Sequence, residues 1–233
     1  MGISTVMLAY KEAENLKVML PAVIKQLKRI GEEYEILVID TAEPLDNTEE
    51  VCKQFGAKYF NQTLPGFGGA FQKGIEEAKY DKFLILDSDG SHHPKYFPAI
   101  CRKMTPDVDV VIGSRYAKGG RNKDALVSVL MSRTLNLVFR IALGIKAKDI
   151  STNYRLYRTA QLKKVKLECR NYDVLEEVLL KLRLNKKNLR IEEVPIVFNK
   201  RIFGESKRRL IPFIISYLKT LLRLVRMRIT YKG

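Results

Sequence analysis

The run Asp87-Ser88-Asp89-Gly90-Ser91-His92-His93-Pro94 places two carboxylates two residues apart, directly after the apolar stretch KFLIL. On a strand-end turn such a pair can share a divalent cation, one acid binding directly and the other directly or through water. Hard oxygen ligands suit Mg²⁺ or Mn²⁺ bridging a diphosphate. The competing reading is a polar turn in which Asp is favoured by turn chemistry. His92 and His93 are the chain's two histidines. Adjacent side chains rarely ligate one metal together, and the scattered Cys52, Cys101 and Cys169 suggest no zinc partners. Turn packing or phosphate contact suits the histidines better.

Other residues could serve the same centre. Leu64-Pro65-Gly66-Phe67-Gly68-Gly69-Ala70 opens a helix, but Phe71 stands where a dinucleotide fingerprint needs its third glycine, and no GKS or GKT follows. Its backbone N–H groups either face a nucleotide or sugar or serve close packing. Arg115 lies just past the strand-like VVIGS, and Arg201 and Lys207 bracket Phe203-Gly204-Glu205-Ser206. Cationic groups beside a metal offset the negative charge of phosphoryl or glycosyl transfer. Taken singly, each is more often a solvated surface charge.

The elements that must position these residues alternate in type. Apolar patterning predicts strands over 4–10, 35–40, 57–60, 82–86 and 108–112, and helices over 12–30, 48–55 and 68–79. Such alternation argues for a parallel α/β sheet with helices on both faces, whose ligands sit at the carboxyl ends of the strands. Asp40 and Asp87 fall there. A helix-like stretch over 125–143 carries Arg133 and Arg140 on one face, and 210–229 is similar. We expect one catalytic domain over 1–209, with 125–143 as an amphipathic insertion, and a basic amphipathic helix over 210–233. On a helical wheel Lys219, Arg223 and Arg226 share an arc opposite Ile214, Tyr217, Leu218, Leu221 and Val225. That pattern predicts a helix lying in the headgroup plane of a membrane.

Composition sets limits. The 233 residues are 46% hydrophobic and carry a formal charge of +16, which points to anionic partners: phosphorylated small molecules, acidic lipid or nucleic acid. From Lys200 onward there are ten basic residues and one acid. Three unpaired cysteines fit a reducing cytoplasm, and no signal peptide is recognisable. No run approaches the roughly 20 apolar residues of a spanning helix. The expected location is peripheral, at the cytoplasmic membrane face.

In order, the segments Tyr10-Lys11-Glu12-Ala13-Glu14-Asn15-Leu16, VIDTAEPLDNT, GFGGAFQKGIEEA, LDSDGSHHPKYFP, IGSRY, DISTNYRLYR and EVPIVFNKRIFGESK resemble the family-2 glycosyltransferases of GT-A fold, in particular their dolichol- and polyprenyl-phosphate mannose synthase branch. The likeness runs from about residue 4 to 225. It implies inverting transfer of mannose or another hexose from a GDP- or UDP-linked donor onto a polyprenyl phosphate. Ala9, Tyr10, Glu12 and Asp40 would line the nucleotide pocket. Asp87, Asp89 and Ser91 would surround Mg²⁺ or Mn²⁺, while Arg201, Ser206 and Lys207 would hold the donor diphosphate. Asp89, Arg115 and Arg133 would be catalytic, the two arginines meeting the lipid phosphate. The two amphipathic stretches would contact the membrane.

The chain departs from the family pattern at several positions. Leu8 and Lys11 replace the usual Pro and Asn, and Asp40-Thr41-Ala42-Glu43 replaces Asp-Asp-Gly-Ser. Ser151-Thr152-Asn153-Tyr154-Arg155 replaces Thr-Ser-Gly-Phe-Arg. An impaired membrane-associated subunit of the same fold is therefore the alternative reading. A sugar nucleotidyltransferase would carry a glycine-rich basic loop near its start, which MLAYKEAEN lacks. A nucleic-acid binder fits poorly, with no zinc finger, RRM signature or helix-turn-helix recognisable.

Overall fold

The computed structural model describes residues 2–204 and 210–231, and the side chains of the last helix from residue 216 onward. Strands β1 (Gly2–Leu8), β2 (Glu33–Asp40), β3 (Lys58–Asn61) and β4 (Lys82–Asp87) alternate with helices α1 (Ala13–Ile30), α2 (Thr48–Gln54) and α3 (Gly66–Glu77). Helix α4 (Phe97–Lys103) leads to β5 (Val110–Ser114), the short β6 (Arg121–Asn122) and α5 (Leu126–Leu143). Then come β7 (Arg155–Arg158), α6 (Thr159–Leu162), α7 (Val174–Asn185), β8 (Ile191–Pro195), β9 (Val197–Phe198) and α8 (Leu210–Thr230).

Seven strands make one sheet in the order β3-β2-β1-β4-β7-β5-β8, and β6 pairs with β9 apart from it. The sheet is parallel except for β7, which runs antiparallel to both β4 and β5. Successive side chains on a strand point to opposite faces, and the two cores follow that rule. Val6, Phe83, Ile85, Val110 and Ile112 enter the core under α3, α5, α7 and α8. Met7, Leu84, Leu86 and Val111 enter the one under α1, α2 and α4. Strand order reverses direction between β1 and β4, which pair with Leu8 opposite Asp87. A crevice opens at the carboxyl ends of strands at such a switch point.

Two expectations need correction. By length and composition α5 is apolar enough to cross a membrane, despite Arg133 and Arg140, and little of it is buried. The apolar face of α8 is only partly free. Tyr217 and Leu224 are buried in the core, with Leu221 and Val225 packed against it. Tyr217 meets Phe139 of α5 edge-on at 5.7 Å, and the hydroxyls of Ser216 and Thr220 donate to Asp173. Arg223, on the basic arc opposite the apolar stripe, pairs with Glu168 at 3.4 Å. Only Leu218, Leu222 and Ile229 remain exposed on this helix among the large apolar side chains described. A hydrophobic stripe fits a protein core and a lipid surface equally well, and here the core takes most of it.

Between β1 and α1 the chain turns through Lys11, the one described non-glycine residue with positive φ, 57°. The left-handed region costs an L side chain roughly 1–2 kcal/mol, and Asn tolerates it best. Lys11→Asn is expected to stabilise the fold by about 1 kcal/mol, a rise of roughly 2–4 °C in Tm for a chain of this size. An unchanged or lower Tm would show that the lysine side chain makes a compensating contact.

Candidate functional site

Asp87 ends β4 and Ala9 follows β1, so both stand at the mouth of the switch-point crevice. The side chain of Asn153 donates to Asp87 Oδ1 at 3.0 Å. The Asp87 backbone N–H donates to His92 Nδ1 at 3.2 Å, so the imidazole proton sits on Nε2, facing Thr152 Oγ1 at 3.2 Å. Burial holds the His92 pKa below its ordinary value, against the opposing pull of Asp87 and Asp89. The ring packs between Tyr154 and Phe198, each centroid 5.1 Å away. With Nδ1 taken by the Asp87 N–H and both ring faces covered, the structure places His92 as a packing residue of the turn.

Asp89 turns back to accept the Ser91 N–H at 3.0 Å through Oδ1. Its Oδ2 lies 3.3 Å from Arg201 Nη2, which also reaches Glu12 Oε1 at 3.0 Å. The segment after β9 is laced over the acids by backbone bonds: Asn199 N–H to Ser91 O at 3.0 Å and Ile202 N–H to Asp89 O at 2.8 Å. Asn15 of α1 fastens the same segment, accepting the Phe203 N–H at 3.0 Å and donating to Glu12. Arg201 is thus brought to the acid pair as expected. Ser206 and Lys207 lie outside the described residues.

Among the described residues no group of three His, Cys, Asp or Glu could enclose a metal ion. The donor set nevertheless suits one. Asp87 and Asp89 supply carboxylates, and Ser91 Oγ is buried beside them with no hydrogen-bond partner among the described residues. Such a set of hard oxygens leaves coordination positions for the oxygens of a diphosphate, as Mg²⁺ sites commonly do.

The nucleotide side differs from expectation in one residue. Tyr10 is exposed, while Ala9 and Glu12 are nearly buried in the crevice wall. Asp40, expected on the pocket surface, is 0% exposed. Its carboxylate accepts the Tyr59 hydroxyl at 3.1 Å and the Thr41 N–H at 2.8 Å, and burial raises its pKa. It therefore stands behind the wall. Asp46, in the β2–α2 loop, accepts the Ala13 N–H at 3.0 Å and the Thr48 N–H at 3.1 Å. One carboxylate thus serves the first turns of α1 and α2, where backbone donors lack partners.

The glycine-rich start of α3 is a packing device. A Cβ on Gly68 would stand 1.9 Å from Cys169 O, and one on Gly69 would stand 1.9 Å from Leu64 O. The Gly68 N–H donates to Arg170 O at 2.9 Å. Close approach of backbone explains these glycines.

Arg115 also needs correction. Expected to face an acceptor phosphate, it is 9% exposed. Its guanidinium grips Asp149 with two bonds, Nε at 2.8 Å and Nη2 at 2.7 Å, and Nη2 also reaches Ser151 Oγ at 2.8 Å. Burial would lower its pKa, but the Asp149 carboxylate outweighs that and raises it. Asn136 of α5 ties the helix to the same turn, accepting the Ile150 N–H at 2.6 Å and donating to Ser151 Oγ at 2.9 Å. Arg133 is exposed, with its guanidinium 5.4 Å from the Tyr116 ring centroid. It lines a cavity of about 250 Å³ with Tyr116, Asn136, Leu137, Arg140 and Lys148. A second cavity of about 350 Å³ shares Leu137 and Arg140 and adds Ile141, Gly144, Ile145 and Lys146. Arg140 was noted in the sequence only as a face-mate of Arg133, and Lys148 carried no signal.

Known proteins resemble the chain in sequence and in fold. A dolichol-phosphate mannosyltransferase of Pyrococcus furiosus is 31% identical over 97% of this chain, which spans 64% of that protein. An undecaprenyl-phosphate mannosyltransferase of Micrococcus luteus is 33% identical over 89% of the chain and 87% of its own length. Glucosyl-3-phosphoglycerate synthase of Mycobacterium tuberculosis, with Mn²⁺, UDP and glucosyl-3-phosphoglycerate, superposes with a TM-score of 0.73 at 17% identity. The superposition covers 100% of this chain and 81% of that one, and establishes the GT-A fold. The family model described as glycosyl transferase family 2 matches residues 4–166, from the third residue of β1 to just beyond α6. By its sequence, the chain belongs to glycosyl transferase family 2.

Proposed function

We propose that this chain transfers a hexose, mannose in the first instance, from a GDP- or UDP-linked donor to a polyprenyl phosphate at a membrane surface, with inversion. The observation that carries this reading is the acid pair at the β1/β4 switch point; two adjoining cavities on α5 supply cationic side chains for an acceptor. Both cavities carry basic side chains, Arg133, Arg140 and Lys148 in the first and Arg140 and Lys146 in the second, where Leu137, Ile141 and Ile145 stand beside them, which suits a phosphate with a hydrocarbon tail. The named activities of the two curated relatives support it.

Tyr10, Ala9 and Glu12 would flank the nucleoside, with Asp40 supporting the wall from behind. Asp87, Asp89 and Ser91 would hold Mg²⁺ or Mn²⁺ against the donor diphosphate; the ion supplies charge stabilisation to the departing nucleoside diphosphate. Arg201, with Ser206 and Lys207, would bind that diphosphate. Arg133, aided by Arg140 and Lys148, would orient the acceptor phosphate. Arg115 would act through Asp149 and Ser151 by fixing the turn to which Asn136 ties α5. A phosphate nucleophile is already ionised near neutral pH, so positioning and charge stabilisation suffice without a strong general base. The test is a panel of GDP- and UDP-linked sugars with Mn²⁺ and polyprenyl phosphate. Label from one donor should enter the lipid, and no transfer from any donor would reject the reading.

Membrane contact is proposed through α5. Leu126, Val127, Leu130, Leu137, Val138 and Ile141 are exposed on it, an unusually large apolar row for a water-facing helix. Replacing Leu126, Leu130 and Ile141 together by Gln is expected to cut flotation with anionic liposomes at least about tenfold, since each buried Leu or Ile contributes roughly 1.5–3 kcal/mol. Release of the unmodified chain by carbonate would place α5 on the surface; retention would place it across the bilayer. Undiminished flotation of the triple variant would reject α5 as the contact.

A further inference from the structure

Two buried residues that the reaction above leaves idle both converge on Asp87. Asn153 Nδ2 donates to Asp87 Oδ1 at 3.0 Å, while the amide's own oxygen has no partner among the described residues. The orientation of this buried amide is therefore set by Asp87. His92 approaches from the other side, accepting the Asp87 N–H at 3.2 Å through Nδ1; that unprotonated nitrogen makes no bond to Oδ2, 3.3 Å away, so His92 fixes the backbone of Asp87 and Asn153 its carboxylate. Its Nε2 is anchored on Thr152 Oγ1 at 3.2 Å, next in sequence to Asn153.

The backbone gives no reason for an asparagine here. Lys11 alone among the described non-glycine residues has positive φ, so position 153 needs neither Gly nor Asn for its conformation. The run it belongs to resembles one in which Gly is usual, and glycine has no amide to offer a carboxylate. Carboxylates that ligate metals are commonly held in orientation by outer hydrogen bonds, and losing one typically costs metal affinity.

We propose that Asn153 and His92 are positioning residues that jointly fix Asp87, Asn153 holding Oδ1 so that Oδ2 is presented to the divalent cation. The fork rests on the cation role assigned to Asp87 above. It makes metal affinity in this chain depend on a side chain that the usual family run lacks. A purely space-filling role for the two residues would alter thermal stability and leave metal affinity unchanged.

The experiment titrates Mn²⁺ into the full chain by calorimetry or electron paramagnetic resonance, with saturating UDP and separately with GDP. Nucleotide affinity without metal and Tm are measured in parallel. Asn153→Leu keeps the volume and removes the amide, and Asn153→Gly installs the residue of the usual run. His92→Phe keeps a ring between Tyr154 and Phe198, and His92→Asn restores an acceptor near Nδ1. Asn153→Leu, Asn153→Gly and His92→Phe are each expected to raise the Mn²⁺ Kd about 10-fold or more, with His92→Asn recovering most of that loss. Metal-free nucleotide binding should stay unchanged. Wild-type Mn²⁺ affinity in both Asn153→Leu and His92→Phe would overturn the fork while leaving the cation role of Asp87 standing. Absence of Mn²⁺ binding by the wild-type chain with either nucleotide would overturn both. Should one variant fail to fold, the remaining ones decide, because each side of the fork is represented separately.

Discussion

Asp89→Ala is expected to lower sugar transfer by about 10²-fold or more, the usual consequence of removing a charge partner aimed at a developing negative charge. The fold should survive. Asp89 makes one backbone bond within its turn, to the Ser91 N–H, and its other oxygen faces Arg201 at the mouth of the crevice. Asp89→Asn separates the two roles, since an amide oxygen can still accept the Ser91 N–H but carries no charge. It should match wild type in Tm and match Asp89→Ala in rate. Mn²⁺ titration should show weakened binding in both variants. Substantial activity in Asp89→Asn would mean that the turn, and not the charge, is what the reaction needs.

The largest stability effect is expected at Asp149. This carboxylate is buried, receives two guanidinium bonds from Arg115 and accepts the Arg115 N–H at 2.9 Å. Asp149→Ala leaves the Arg115 guanidinium buried with one hydroxyl partner, Ser151. Breaking a buried pair in this way costs about 3–5 kcal/mol. Arg115→Met strands the carboxylate instead and should cost a similar amount. The double variant removes both charges and should be less destabilised than the sum of the two, by a clear margin in denaturant unfolding. Strict additivity would show that the pair is not coupled and that each residue acts through other contacts. Because Asp149 and Ser151 flank the Ile150 N–H that Asn136 accepts, both single variants should also loosen α5.

Much of the framework was legible in the sequence because β1, β2 and β4 are runs of apolar residues bounded by polar turns, and α1 carries a clear helical stripe. The acids at positions 87 and 89 stood out because two carboxylates follow a buried strand. What escaped was set by distance or brevity. Strand β7 has four residues, two of them arginines, and its partners lie far back in the chain. Helix α7 is buried on most of its surface, so it has no polar face to announce its period. The partner of Arg115 lies 34 residues away, which no local pattern reveals. Asn153 sits in a loop where an amide carries no spacing signal. The stripe on α8 was read as lipid-facing because apolar patterning does not say what covers it.

The position of β7 bears on how the chain comes together. Strands β4 and β5 do not touch each other directly; both wait for residues 155–158 to slide between them. Until that segment is made, the strand carrying Asp87 has one side unpaired, and the strand leading to Arg115 has both, since β8 is made later still. Synthesis proceeds at about 5–20 residues per second, so this interval lasts seconds. Exposed strand edges invite pairing with other chains. A fragment ending near residue 150 would hold both β4 and β5 yet lack the strand that joins them. The stretch matched by the family model, 4–166, reaches past that joining strand. The smallest unit able to close the sheet around the acids therefore extends at least through Arg158, and β4 and β5 become neighbours in one sheet only when the chain returns.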